Sequence, residues 1–222
     1  MFFRCIDLAA KDLRLVFLSG SSFVQAVLLG FLLIFVFSIA GSASAELHPR
    51  WIAAIFWLAS AFSLVLIFNN LYGLEEENEI RQGLLVAPVS LQSIWLGKAI
   101  AGAVLLFLVQ ILFLPAEIVF LGVSEVNSWQ GIFLLLPSVN WGLVVLGSLL
   151  GGIASGQNSR DSLLTIIIFP LLLPLLLAGI KVGEDLLTPA TGKVYSWYTL
   201  IIAFDLIFTG AALILFPCVF SE

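Results

Sequence analysis

The chain has 222 residues, of which 61% are hydrophobic and 10% charged, and its mean hydropathy is +1.17. Soluble globular domains carry roughly 25% charged residues, so water is not its main solvent. The net charge of −5 argues against nucleic acid or a polybasic lipid patch as partner, because the acidic excess sits largely in one run, Glu75 to Glu79.

Residues 2–18 open the chain with an amphipathic pattern. Ile6, Ala10, Leu13 and Phe17 fall on one helical face and Arg4, Asp7, Lys11 and Arg14 on the opposite one, which predicts a helix lying in the membrane interface with its charges toward water. Six apolar stretches follow, at residues 22–41, 51–71, 95–121, 131–154, 162–180 and 198–220. Each approaches the roughly 20 residues that cross a ~30 Å hydrocarbon core. Ala43-Ser44-Ala45 resembles a signal-peptidase site, but the apolar stretch before it is too long for a signal peptide and reads as a retained span. No soluble block interrupts the series, so residues 1–222 read as a single transmembrane domain. A lipid-exposed backbone must satisfy its own hydrogen bonds, and no alternating barrel pattern is present. The expected fold class is therefore all-α integral membrane, with six transmembrane helices behind an interfacial helix.

Lys and Arg near the span ends set the orientation. Arg4, Lys11, Arg14, Arg81, Lys98 and Arg160 fall on one side, against Arg50, Lys181 and Lys193 on the other, which places the first set and both termini in the cytoplasm. Trp51, Trp129, Trp197, Tyr195 and Tyr198 fall at the opposite boundary, as an aromatic belt does.

The longest polar segment, 72–93, joins the second and third spans. Glu75, Glu76 and Glu79 make it acidic, Leu84 and Leu85 then make it apolar, and Pro88 stops the apolar part by removing a backbone donor. Ser90 is placed to cap the third span and Lys98 to reach the headgroups. An ordinary hairpin between spans and a docking helix for a cytosolic partner both fit this pattern. Farther along, Pro170 and Pro174 interrupt the fifth span twice and predict either a packing kink or a hinge. Glu117 and Asp205 are ionisable groups inside spans, each costly unless paired or wet. Gln110 and Asn140 read as interhelical hydrogen-bonding residues.

Chemistry of the chain's own is not encoded. Gly97-Lys98 lacks the upstream glycine and following Ser or Thr of a phosphate-binding loop, and there is no Ser-His-Asp set, no HExxH and no metal cluster. Cys5 and Cys218 lie near opposite ends without CxxC or CxxCH spacing, so they read as free thiols and not as a redox pair, a zinc site or a covalent haem attachment. The one histidine, His48, stands beside Pro49 in an outer loop, and the one methionine is Met1. A self-contained axial haem site is therefore not expected.

The glutamate-rich turn Glu75 to Glu79, Leu84-Leu85, Pro88 and Lys98 resemble the first cytosolic loop of type-2 ABC exporter transmembrane subunits. Within that group the chain is similar to the haem exporter B family of cytochrome c maturation. Pro115, Gly122, Gly151-Gly152, Arg160 and the double proline Pro170/Pro174 carry the likeness along nearly the whole chain. Gly102-Ala103 stands where that family commonly has His-Trp, so no role of that histidine transfers.

The resemblance implies that Glu75, Glu76, Glu79, Leu84, Leu85, Pro88 and Lys98 form an ATPase-coupling loop, with Arg160 in a second cytosolic turn. It implies as partners a separate cytosolic ABC ATPase, a second permease copy, haem-handling membrane subunits and a periplasmic haem chaperone, in a bacterial inner membrane. Haem is then cargo of the complex, with no cofactor held by this chain alone. An exporter of lipid, glycan or drug, and a non-transporting scaffold, are the competing readings.

Overall fold

The computed structural model describes residues 2–41, 48–77, 89–123, 126–154, 160–188 and 194–220. These form α1 (Phe2–Ser19), α2 (Ser21–Gly41), α3 (Pro49–Glu77), α4 (Leu91–Phe120), α5 (Trp129–Ala154), α6 (Arg160–Leu187) and α7 (Val194–Phe220). Six of these seven, α2 to α7, are long and apolar enough to cross a membrane, and no strand occurs among the described residues. The all-α membrane class expected from composition is the one observed.

The layering follows from how much of each span is covered by protein. The α3 span is 72% buried and the α5 span 67%, against 17% for α2 and 22% for α7. Thus α3 and α5 form the inside, α4 and α6 flank them, and α2 and α7 present Leu28, Leu32, Ile202, Leu206 and Ile214 outward. In hydrocarbon there is no hydrophobic force between helices, so close backbone approach at small residues supplies the packing. Phe68 of α3 shows how. A Cβ at Gly102 of α4 would lie 2.4 Å from its ring, and one at Gly147 of α5 would lie 2.5 Å from it. The ring occupies space that only two glycines leave open.

Polar staples fix the register. In the bundle interior Gln110 of α4 donates to Asn140 Oδ1 of α5 at 2.8 Å, and Asn140 donates back to Gln110 Oε1 at 2.7 Å. Gln110 also donates to Ser60 Oγ of α3 at 3.1 Å. The expected interhelical role of both residues is what the structure shows, and Ser60 makes a third member. Ser63 Oγ, one turn further along α3, donates to the Ala26 carbonyl and ties α2 on at 2.9 Å.

Several local readings change. The helix of the second span runs past residue 71 to Glu77, and α4 already begins at Leu91, so helix takes up both ends of the segment read as loop. Ser90 occupies the N-cap position, yet its hydroxyl pairs with Ser93 Oγ at 2.7 Å and makes no capping bond to the helix. Expected as a double interruption, α6 runs as one helix from Arg160 to Leu187 through Pro170 and Pro174. The prolines are four residues apart and both exposed, while Leu172, Leu175, Ala178 and Val182 are buried against the bundle.

Between α1 and α2 the chain turns at Gly20, whose φ of 63° is left-handed and whose N–H donates to the Val16 carbonyl at 3.1 Å. That closes α1 with a glycine C-cap and frees α2 to leave the interface and enter the bilayer.

Candidate functional site

The segment 78–88, with Glu79, Leu84, Leu85 and Pro88, lies outside the described residues; so do the side chains of Glu75, Glu76 and Arg160. The structure does describe the two stems from which that loop hangs, the end of α3 and the start of α4. They are held by a buried polar cluster that reaches α1 and α5.

Its centre is Lys98. Expected to reach the headgroups, its side chain is 1% exposed, and the stem around it is protein on every side. The ammonium donates to the Leu71 carbonyl of α3 at 3.2 Å and lies 4.5 Å from the centre of the Tyr72 ring. Asp12 of α1, 4% exposed, places Oδ2 3.6 Å from Lys98 Nζ, and Lys11 Nζ meets the other carboxylate oxygen at 3.0 Å. A buried ammonium is tolerated only when paired and hydrogen-bonded, and Lys98 has a carboxylate, a carbonyl and an aromatic face. Tyr72 extends the cluster, since its hydroxyl donates to the Ser148 carbonyl of α5 at 2.7 Å. Gly151 of α5 makes room for it, because a Cβ there would lie 2.6 Å from the ring.

Small residues bring α1 close enough for Asp12 to reach. A Cβ at Gly97 would stand 2.9 Å from Leu8 Cβ and 3.2 Å from the Cys5 carbonyl of α1. The side of α1 that meets the bundle carries Cys5, Ala9, Asp12 and Val16, each at most 4% exposed. The apolar face assigned from the sequence is a different one, on which Ile6 and Phe17 are each left 51% uncovered by protein. An interfacial helix has three surroundings, protein, lipid and water, and a two-sided division of its residues merges the first two. Asp12 was therefore missed, although the spacing 5, 9, 12, 16 of small or short side chains is readable in the sequence.

At the opposite end of the bundle the residues group differently. His48 is 64% exposed, and its Nδ1 lies 4.0 Å from Glu184 Oε1, which shares α6 with Lys181 at 3.0 Å from Glu184 Oε2. Glu117 of α4 is 6% exposed and lines an apolar cavity of about 60 Å³ with Trp57 and Trp129. Asp205 of α7 sits against Gly142 of α5. Glu117 Oε1 and Asp205 Oδ1 are buried, and neither has a hydrogen-bond partner among the described residues. Among the described residues no three His, Cys, Asp or Glu side chains converge to hold a metal.

The cluster thus ties the two stems, α3 and α4, to α1 through Asp12 and to α5 through Tyr72. The sequence model of the CcmB protein family matches residues 3–219. The chain belongs to that family. It is also 24% identical over 173 residues, 78% of each chain, to a Rhodobacter capsulatus protein named "Heme exporter protein B". The family match takes in α1 from its first turn, so the interfacial helix and its Asp12 lie within the matched region together with the loop and both stems.

Proposed function

We propose that this chain is the transmembrane subunit of an ABC transporter that handles haem in cytochrome c maturation. A separate cytosolic ATPase docks on residues 75–98, and its cycle drives release of a haem-loaded periplasmic chaperone. Family membership and the named relative support the haem context. The observation that carries the coupling part is the buried Lys98 cluster, which joins α1, α3, α4 and α5 under the loop and gives a docked partner one rigid purchase on four helices.

The Lys and Arg distribution supports both termini and the loop in the cytoplasm of a bacterial inner membrane, with Glu117, His48 and Trp129 toward the periplasm. A second permease copy and haem-handling membrane subunits complete the assembly, and haem is cargo. His48 is the one histidine of the sequence and Met1 the one methionine, so the chain relies on those neighbours to hold haem.

Deleting the gene tests this reading. A strain without the chain is expected to lose covalently haem-bearing cytochromes c while keeping non-covalent haem proteins, as read by haem staining of denatured gels beside pyridine haemochrome totals. Normal cytochrome c content would reject the haem context.

A further inference from the structure

The cavity at the end of the bundle opposite the loop is not used by the coupling scheme. It lies between the first turns of α3 and α5 and the last turns of α4 and α6, lined by Phe56, Trp57, Glu117, Trp129, Leu136 and Gly183 among others. Its volume is about 60 Å³. That is room for several water-sized groups.

Among the described residues Glu117 is the single titratable one in the lining, with no Lys, Arg or His beside it there. The residue is 6% exposed, and its Oε1 is buried with no hydrogen-bond partner among the described residues. A carboxyl placed this way lacks a donor, and a donor on an otherwise apolar body suits the rest of the wall. Trp129, 49% exposed at the first turn of α5, marks the level as that of the headgroups. The donor within reach at that depth is the ammonium of a lipid headgroup, and an ethanolammonium group has a size that the cavity takes.

We propose that this cavity is a lipid site, in which Glu117 receives the primary ammonium headgroup of a lipid from the leaflet opposite the 78–88 loop, against Trp57 and Trp129. Choline headgroups carry no N–H to donate and are discriminated against; anionic headgroups are repelled. The inference stands apart from the haem reading and does not depend on it.

The test uses the full chain in nanodiscs of equal parts dioleoyl phosphatidylethanolamine, phosphatidylcholine and phosphatidylglycerol, with retained lipids identified by native mass spectrometry. Wild type is expected to retain the ethanolamine lipid in excess of its bulk share. Glu117→Gln is expected to retain roughly tenfold less, with phosphatidylglycerol unchanged, as loss of one charge-assisted hydrogen bond predicts. Wild type alone gives a second reading that does not depend on folding of the variant. Ethanolamine lipid should protect Glu117 from a membrane-soluble carbodiimide, and phosphatidylcholine should not. Equal retention by variant and wild type, equal protection by both lipids, or no retained lipid at all, leaving water as the occupant, would each overturn the proposal.

Discussion

Replacing Asp12 by alanine is expected to destabilise the protein by about 3–5 kcal/mol, the range for removing one partner of a buried ion pair. The reason is what remains. Lys98, 1% exposed, loses the carboxylate 3.6 Å from its ammonium, while Lys11, 34% exposed, turns to water. Lys98→Met alone should cost less, since the carboxylate of Asp12 keeps Lys11 at 3.0 Å. The double change Asp12→Leu with Lys98→Met removes both charges, and buried pairs replaced by apolar groups are often neutral to 1–4 kcal/mol more stable. Relative to the Asp12 single variant the double should therefore recover stability. Thermal unfolding of the four proteins in one detergent gives the interaction energy of the pair by a double-mutant cycle. An Asp12 effect of the same size with and without Lys98 would mean that the two do not act on each other.

The second large effect belongs to the loop. Leu84 and Leu85, changed together to serine, are expected to remove up to ~3–6 kcal/mol of contact with the ATPase if both side chains are buried there. At 1.4 kcal/mol per tenfold, the middle of that range is roughly a thousandfold in affinity. The stems should be untouched, because Lys98, Tyr72 and Asp12 hold them from inside the bundle. The double variant is thus expected to insert, to unfold at the wild-type temperature and to keep its membrane partners, yet to lose the co-purified ATPase and chaperone release. Wild-type ATPase retention together with normal release would remove the coupling role from this loop. Glu75→Gln and Glu79→Gln should act more weakly, mainly on the association rate and its dependence on salt.

These two expectations mark how much of the molecule was legible in the sequence. Membrane class, the count of spans and the interhelical hydrogen bonding of Gln110 and of Asn140, though not with which partner, follow from apolar length and from the cost of a lone amide in hydrocarbon, which are local properties. Lys98 was singled out by resemblance, but its surroundings were not readable, because burial depends on α1 folding back across Gly97, a contact between residues far apart in the chain. Asp12 was hidden for the same reason. The continuity of α6 through Pro170 and Pro174 was also not readable, since whether a helix continues past two prolines depends on how their neighbours are packed, and here Leu172, Leu175, Ala178 and Val182 are buried. Glu117 was visible as an ionisable residue in a span. The cavity it faces needed four helix ends brought together.

At the centre of this account is a membrane bundle worked from its cytosolic loop by a separate ATPase. The most direct measurement is purification of the chain from its native membrane in mild detergent, with identification of every accompanying subunit and assay of ATP hydrolysis. An ABC ATPase should accompany the chain, together with haem-handling membrane subunits, and hydrolysis should vanish when the ATPase is stripped away. A chain that purifies without any ATPase, or that hydrolyses ATP by itself, would contradict the account.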